Sequence, residues 1–316
     1  MELCFLLDGV SPSASNLRKI LLGMAAGRFQ GTKTLVDLIG QKKFRTKVRT
    51  NLRPDHPPPE RCWYAKVPLM KPGAIYPMLV VDVGNSNVKF AVVSRKRGKP
   101  KILAVEPTKK LTSQRVLSLW QKSRASTAAA ACVVPPVEKI LRASLTDLML
   151  IDAQAPLNFT TLVEGKTVGA DRLANMAEAR QRFGKNVLVA DFGTAATFDL
   201  LDLQGTFVGG AIAPGLKTLA RALVSETAQL PAADFSPVRR YAGRTTSEAL
   251  RAGVSGGYAG LIAHLLDSLR DGSTMVVFTG GEAKEASRLR RGKVRLDPLW
   301  TLRGIAVLGA LRAERE

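Results

Sequence analysis

From residue 78 onward, apolar runs of strand length alternate with amphipathic stretches of helical period, and their order occurs twice. The first round predicts strands over 78–83, 88–94 and 101–105, a helix over 112–123, a strand over 129–134, a helix over 136–146 and a strand over 148–151. A helix beginning after Gly169 closes it, because Leu173, Met176, Ala177 and Phe183 recur at helical spacing. The second round predicts strands over 187–191, 196–202 and 206–212, then helices from about 215 and over 246–270. A strand over 275–279, a helix over 281–291, a strand over 293–296 and a last helix over 300–314 complete it. Three strands joined by tight turns, followed by alternating helix and strand, describe an α/β fold with mixed sheets, duplicated as residues 78–185 and 186–316. The cleft between two such halves is where a ligand would sit.

Each round opens on the same turn. Leu79-Val80-Val81-Asp82-Val83-Gly84-Asn85-Ser86-Asn87 is matched 109 positions later by Val187-Leu188-Val189-Ala190-Asp191-Phe192-Gly193-Thr194-Ala195-Ala196-Thr197. An aspartate ends the apolar run, and a glycine two residues on lets the backbone reverse. Short hydroxyl and amide side chains follow. Backbone N–H groups and small donors in such a turn suit a phosphate, and the carboxylate suits a cation. One Asp-x-Gly is an ordinary turn; two at corresponding strand ends point to a nucleotide held between duplicated halves. Neither a P-loop motif nor a G-x-G-x-x-G fingerprint occurs, so phosphate handling falls to these turns. Gly209-Gly210 and Ala213-Pro214-Gly215, ahead of a helix whose N-terminus could face an anion, flank the second turn.

Upstream of Met78 the pattern dissolves. Arg53-Pro54-Asp55-His56-Pro57-Pro58-Pro59, then Pro68, Pro72 and Pro77, interrupt helices and central strands alike, and one short helix is predicted over 13–26. Residues 1–77 read as a basic, proline-rich extension, either a native appendage, possible disorder included, or the product of an upstream start. The net charge of +21 invites a nucleic-acid reading, but 1–77 holds 13 Lys/Arg against 5 Asp/Glu and the remaining excess is spread along the chain. Aromatics are 6% and interleave with no basic run, so a nucleic-acid partner is not expected. With 46% hydrophobic residues a substantial core is available, yet no run reaches the ~20 residues that span a bilayer. The first residues lack a basic lead, and Cys4, Cys62 and Cys132 form neither a disulfide set nor a metal pair; a cytoplasmic chain with reduced thiols and no membrane partner is expected. His56 and His264 have no nucleophile or metal partner in sequence, Trp63, Trp120 and Trp300 are too dispersed to stack bases, and Gly253, Gly256, Gly257 and Gly260 could permit close helix packing at a domain or subunit contact.

A third motif lies between the turns: Val168-Gly169-Ala170-Asp171-Arg172, where a loop becomes a helix. Asp171 suits a helix start, but it could also take the proton of a substrate hydroxyl while Arg172 meets an anionic or polar group. Together, Asp82 to Asn87, Gly169 to Arg172 and Asp191 to Thr197 resemble the signatures of type III pantothenate kinases, in the superfamily of acetate and sugar kinases, Hsp70 and actin. Gly209 to Gly215, Glu226 to Pro231, Gly243 to Thr246, Thr279 to Gly281 and Leu302 to Gly304 match in the same order. Residues 1–77 have no counterpart in the resemblance.

The resemblance implies two ribonuclease H-like domains around a central nucleotide cleft, ATP-dependent phosphorylation of pantothenate to 4′-phosphopantothenate in coenzyme A synthesis, and a homodimer. It implies ATP contacts at Asp82, Val83, Gly84, Asn85, Ser86, Asn87, Val88, Lys89 and Thr194, with Asp82 near Mg2+ or another divalent cation. It puts K+ or NH4+ at Asp191, the proton acceptor at Asp171, and pantothenate contacts at Gly169, Ala170, Asp171, Arg172 and Thr246. Two departures stand out: Ser86 replaces the usual threonine but keeps the hydroxyl, and Leu162-Val163-Glu164-Gly165-Lys166 occupies the place of a Tyr-x-Asn-Pro-like segment. A superfamily kinase for another hydroxylated substrate therefore stays open, as does a non-catalytic transcription accessory factor on the same fold. Retention of Asp82, Asp171 and Asp191 weighs against the latter.

Overall fold

Strand β1 (Met78–Val83) shows how the fold arises from alternation. Met78 and Val80 face one side and Leu79, Val81 and Val83 the other, and both sets are buried in separate clusters. In the computed structural model residues 75–316 are described, apart from 146, 153, 165–166, 233–234, 239, 290–293 and 315–316. The chain divides between Pro72 and Gly73, and the expected helix over 13–26, like the extension up to residue 74, lies outside the described residues.

The first sheet combines β1, β2 (Asn87–Val93), β3 (Lys101–Pro107), β4 (Thr127–Cys132) and β5 (Leu148–Ile151) in the order β3-β2-β1-β4-β5. The β1–β2 and β2–β3 pairs are antiparallel, whereas β1–β4 and β4–β5 are parallel. The second sheet repeats that order with β7 (Val187–Phe192), β8 (Ala195–Leu201), β9 (Thr206–Pro214), β10 (Met275–Thr279) and β11 (Arg295–Leu296), arranged β9-β8-β7-β10-β11. A two-residue strand, β6 (Thr160–Thr161), adds itself outside β9, too short for periodicity to announce. This is the ribonuclease H-like topology in duplicate, with mixed sheets as expected.

Helices complete the layers. α1 (Ser113–Ser123), capped by Thr112 accepting from the Arg115 N–H at 3.2 Å, and α2 (Pro135–Ser144), opened by two prolines, cover the outer face of the first sheet. α4 (Leu216–Ser225), α6 (Gly257–Leu269) and α7 (Ala283–Leu289) cover the outer face of the second. Between the sheets lie α3 (Ala170–Phe183) and α8 (Trp300–Ala313), whose buried faces join residues of both sheets in one cluster. The two helices cross so closely at Gly304 that a Cβ there would strike the Ala174 carbonyl. Trp300 is wholly buried and donates its indole N–H to the Asn175 carbonyl at 3.0 Å.

The single helix expected over 246–270 is a composite. α5 (Thr246–Arg251) passes through a π turn at Ala252–Gly256 into α6. Glycine supports a regular helix poorly, by about 1 kcal/mol relative to alanine, and Gly253 and Gly256 fall in the turn. Of the four glycines singled out there, only Gly256 packs closely, against the Tyr241 ring; open space lies beyond Gly253, Gly257 and Gly260.

Candidate functional site

The strand alternation that builds the core also aims the aspartates. On β1 the series Met78, Val80 continues to Asp82, and on β7 the series Val187, Val189 continues to Asp191, so both carboxylates project toward the layer of α3 and α8. The two hairpin turns are closed alike: the Gly84 N–H donates to the Asn87 carbonyl and the Gly193 N–H to the Ala195 carbonyl, both at 3.0 Å. Their tips meet, with Ser86 Oγ 2.8 Å from Thr194 Oγ1. Thr108 braces the first turn, its hydroxyl donating to the Gly84 carbonyl at 2.7 Å and its N–H to the Ser86 carbonyl at 3.0 Å. The second is braced by α4, where the Gly215 N–H and the Thr218 hydroxyl both donate to the Thr194 carbonyl, at 3.0 and 2.8 Å.

The surroundings of the two aspartates differ. Across the first hairpin Asp82 pairs in register with Lys89, whose ammonium donates to Asp82 Oδ2 at 3.3 Å. Burial works against the Lys89 charge, but Asp82 and then Asp191 outweigh it and hold the ammonium above its ordinary pKa. Across the second hairpin the register partner of Asp191 is Thr197. Asp191 Oδ2 instead accepts from Asn175 Nδ2 at 2.9 Å and from Thr301 Oγ1 at 3.5 Å. Burial, with Asp171 and Asp82 adding repulsion, overcomes the Asn175 hydrogen bond and the Lys89 charge and pushes the Asp191 carboxyl up to about 6. Gly280, at φ +93°, lets the β10–α7 turn pass directly over Asp191; any Cβ there would strike Asp191 Oδ1 and the Phe192 carbonyl.

Asp171 stands in the first turn of α3 with Gly169 as N-cap, and its Oδ1 accepts from the Arg172 N–H at 2.8 Å. Burial raises its carboxyl above the ordinary range; that N–H opposes the shift, while Asp82 and Asp199 add to it. Asp82, Asp171 and Asp191 thus feel one another's charge. Arg172 turns away from this group: its Nε donates to both oxygens of Asp199, at 2.9 and 3.1 Å, and its guanidinium lies 5.6 Å from the centre of the Phe207 ring. Thr246 shares no hydrogen bond with the aspartates among the described residues. It lies on the exposed start of α5, beside a recess of about 310 Å³ lined by Leu223, Leu230, Leu250 and Val254.

Sequence reading missed Asn175, Thr301, Thr108 and Asp199. Asn175 follows Asp171 by one helical turn, which puts them on one face, and Asp199 is an acid in the middle of the apolar strand β8, a poor strand residue that invites a reason. Thr301 and Thr108 carried no signal, since only tertiary packing brings them near. His264 is exposed on α6, without a described partner; His56, Gly165 and Lys166 lie outside the described residues.

Among the described residues no three His, Cys, Asp or Glu side chains converge as a metal cluster, and no helix is long and apolar enough to cross a membrane. Near Asp191, two buried oxygens, Asn175 Oδ1 and Thr279 Oγ1, have no hydrogen-bond partner, and Thr279 is the β10 register partner of Asp191.

Residues 78–268 match the family described as type III pantothenate kinase. A type III pantothenate kinase of Methylacidiphilum infernorum is 31% identical over 247 residues, covering 76% of this chain and 90% of the relative. One of Chlorobaculum parvum is 35% identical over 250 residues, covering 73% and 93%, and one of Desulfosudis oleivorans is 32% identical over 251 residues, covering 74% and 98%. The solved activator of the 2-hydroxyisocaproyl-CoA dehydratase from Clostridium difficile, with bound ADPNP, overlaps at a TM-score of 0.45 and 12% identity, covering 75% and 96%. The duplicated topology, rather than that overlap, fixes the fold.

Proposed function

The chain belongs to the type III pantothenate kinase family, and on that premise we propose how its residues share the transfer of a phosphoryl group from ATP to pantothenate. The reaction yields 4′-phosphopantothenate and ADP, at the start of coenzyme A synthesis. What carries the assignment of roles is the meeting of Asp82, Asp171 and Asp191 between two touching turns.

Asp171 accepts the proton of the pantothenate hydroxyl as that oxygen attacks the γ-phosphorus and the bond to the β,γ-bridging oxygen breaks. A carboxylate whose proton affinity is raised by burial and by neighbouring carboxylates is a better base than one in water. The turn from Asp82 to Lys89, with Val83, Gly84, Asn85, Ser86, Asn87 and Val88 between, cradles the phosphates of ATP, and Thr194 closes on them from the second turn. Lys89 supplies the fixed positive charge. A divalent ion such as Mg2+ bound to the phosphates would take one carboxylate, Asp82, from the chain. Such an ion would neutralise charge on the transferring group.

Asp191, with Asn175 Oδ1 and Thr279 Oγ1 as oxygens lacking partners, fits a monovalent cation, K+ or NH4+. Gly169 and Ala170 line the acceptor side of Asp171. Arg172, anchored on Asp199, shapes that side and offers the rest of its guanidinium to pantothenate. The recess beside Thr246, with Leu223 and Val224 more than a third exposed and Tyr241 71% exposed, supports a homodimer in which a second copy covers this face and brings Thr246 to the substrate. We further propose that residues 78–185 and 186–316 are the two halves of the enzyme, that 1–77 is an extension outside it, and that the enzyme works in the cytoplasm.

A coupled ADP-release assay of the full chain tests this reading. Turnover is expected only with both ATP and pantothenate, and is expected to rise with potassium. ADP release indifferent to pantothenate would overturn the substrate, and release indifferent to potassium would overturn the role of Asp191.

A further inference from the structure

At the opposite end of the middle layer from the aspartates lies a second cavity, of about 320 Å³, which the catalytic reading leaves unused. One wall is apolar, built by Val93 at the far end of β2 and by Ala306, Val307, Ala310 and Leu311 on α8. The rim carries four cations: Lys96 and Arg97 from the β2–β3 loop, Arg182 from the last turn of α3, and Arg303 from α8. Only two acids, Glu178 and Glu314, share the lining with them.

Pairing leaves positive charge over. Lys96 reaches Glu314 at 3.2 Å, and Arg303 reaches Asp297, behind the lining, at 2.6 Å. Arg182 pairs with Glu178 at 2.8 Å and lies 3.7 Å from Asp297, which it shares with Arg303. Burial pushes the Glu178 carboxyl up to about 7 against the pull of Arg182 and Arg303, so the four cations face three carboxylates of which one is only partly ionised near neutrality. Arg97 meets no carboxylate among the described residues; the side-chain oxygen of Gln181, with its amide turned toward Arg97, accepts from the guanidinium at 2.6 and 2.8 Å. Asn158 lines the same cavity, and its Oδ1 is buried without a partner. A recess at the small end of ligand-pocket size, with an apolar wall and a cationic rim, is built for more than water.

We propose that this cavity is a second binding site, for a small organic anion whose apolar body lies along α8 and whose carboxylate or phosphate meets Arg97 and Lys96. The site is separate from the catalytic cleft: along α3, Glu178 lies roughly 10 Å and Arg182 roughly 16 Å beyond Asp171 at 1.5 Å per residue.

Isothermal titration of the full chain, with ATP present to keep the cleft filled, tests this with hexyl phosphate, hexanoate, hexanol and inorganic phosphate. Hexyl phosphate or hexanoate is expected to bind one per chain, the tighter of the two identifying the preferred headgroup. Hexanol and inorganic phosphate should each bind at least tenfold more weakly than that anion. The double change Lys96→Gln and Arg97→Gln, on an exposed loop, should weaken the anion at least tenfold without moving the melting temperature or turnover, and Val307→Phe, which fills the apolar wall, should weaken it similarly. Absence of saturable binding by both chain-bearing anions would overturn the proposal. So would inorganic phosphate binding as tightly as hexyl phosphate, or anion affinity unchanged in both variants.

Discussion

The two aspartate turns share a backbone, a register position and an aim, yet they differ in what stands across the hairpin. Asp82 faces Lys89, while Asp191 faces Thr197. A covalently fixed ammonium cannot leave, so Asp82 has a permanent counter-charge. The second has only an amide, a distant hydroxyl and two buried oxygens lacking partners. Duplication gave the same scaffold twice, and one strand position separates a carboxylate with a cation across its hairpin from one with a hydroxyl there.

The carboxylate between the turns should matter most. Asp171→Asn is expected to lower kcat by about 10²–10⁴-fold, the usual contribution of a general base, while ATP binding measured by titration stays nearly unchanged. Wild-type turnover in that variant would remove Asp171 from the chemistry. Lys89→Thr makes the first turn like the second; losing a charge-assisted hydrogen bond to phosphate should weaken ATP by about 10–100-fold, and an unaltered ATP affinity would show that Lys89 serves Asp82 alone. The reciprocal change, Thr197→Lys, gives the second turn a tethered ammonium. Its turnover should no longer respond to added potassium, and a full potassium response would sink the distinction drawn between the turns.

Smaller effects come from pH. Asp191 must be ionised to hold a cation, and with its carboxyl near 6 the apparent potassium affinity should fall about fourfold from pH 7.5 to pH 5.5. The stability consequence has the opposite sense. A carboxyl raised on folding stabilises the folded chain below its unfolded pKa, near 4, and that contribution is lost as pH rises through about 6. In potassium-free buffer at pH 7.5, Asp191→Asn should therefore be more stable than wild type by about 1–3 kcal/mol and melt higher; an equal or lower melting temperature would contradict the crowding described here.

Much of this was legible in the chain. Alternation of apolar residues in β1 and β7 gave the strands, and the glycines at 84 and 193 gave the turns. Asp82 and Asp191 stood out because each is a charge at the end of an apolar run, and Asp171 because it stands where a loop becomes a helix. What escaped was whatever depends on contact between distant segments. Asn175 and Thr301 reach Asp191 only because α3 and α8 cross at Gly304. Arg172 faces Asp199 only because β8 runs beside α3, and no periodicity encodes that neighbour. The π turn at Ala252–Gly256 was hidden for another reason: helical spacing of apolar residues survives a single extra residue per turn.

The crossing of α3 and α8 also bears on how the molecule is made. The inner face of the first sheet, with Met78, Val80, Ala129 and Ala131, is covered by the helix that ends the chain. Synthesis begins that half early but delivers its last wall only when Trp300–Ala313 emerges. Until then a sheet of finished strands, covered on that side by α3 alone, keeps part of its apolar face bare, the kind of surface on which nascent chains aggregate. A stop codon ahead of Trp300 would remove no strand of the first half and would still leave that half unable to close.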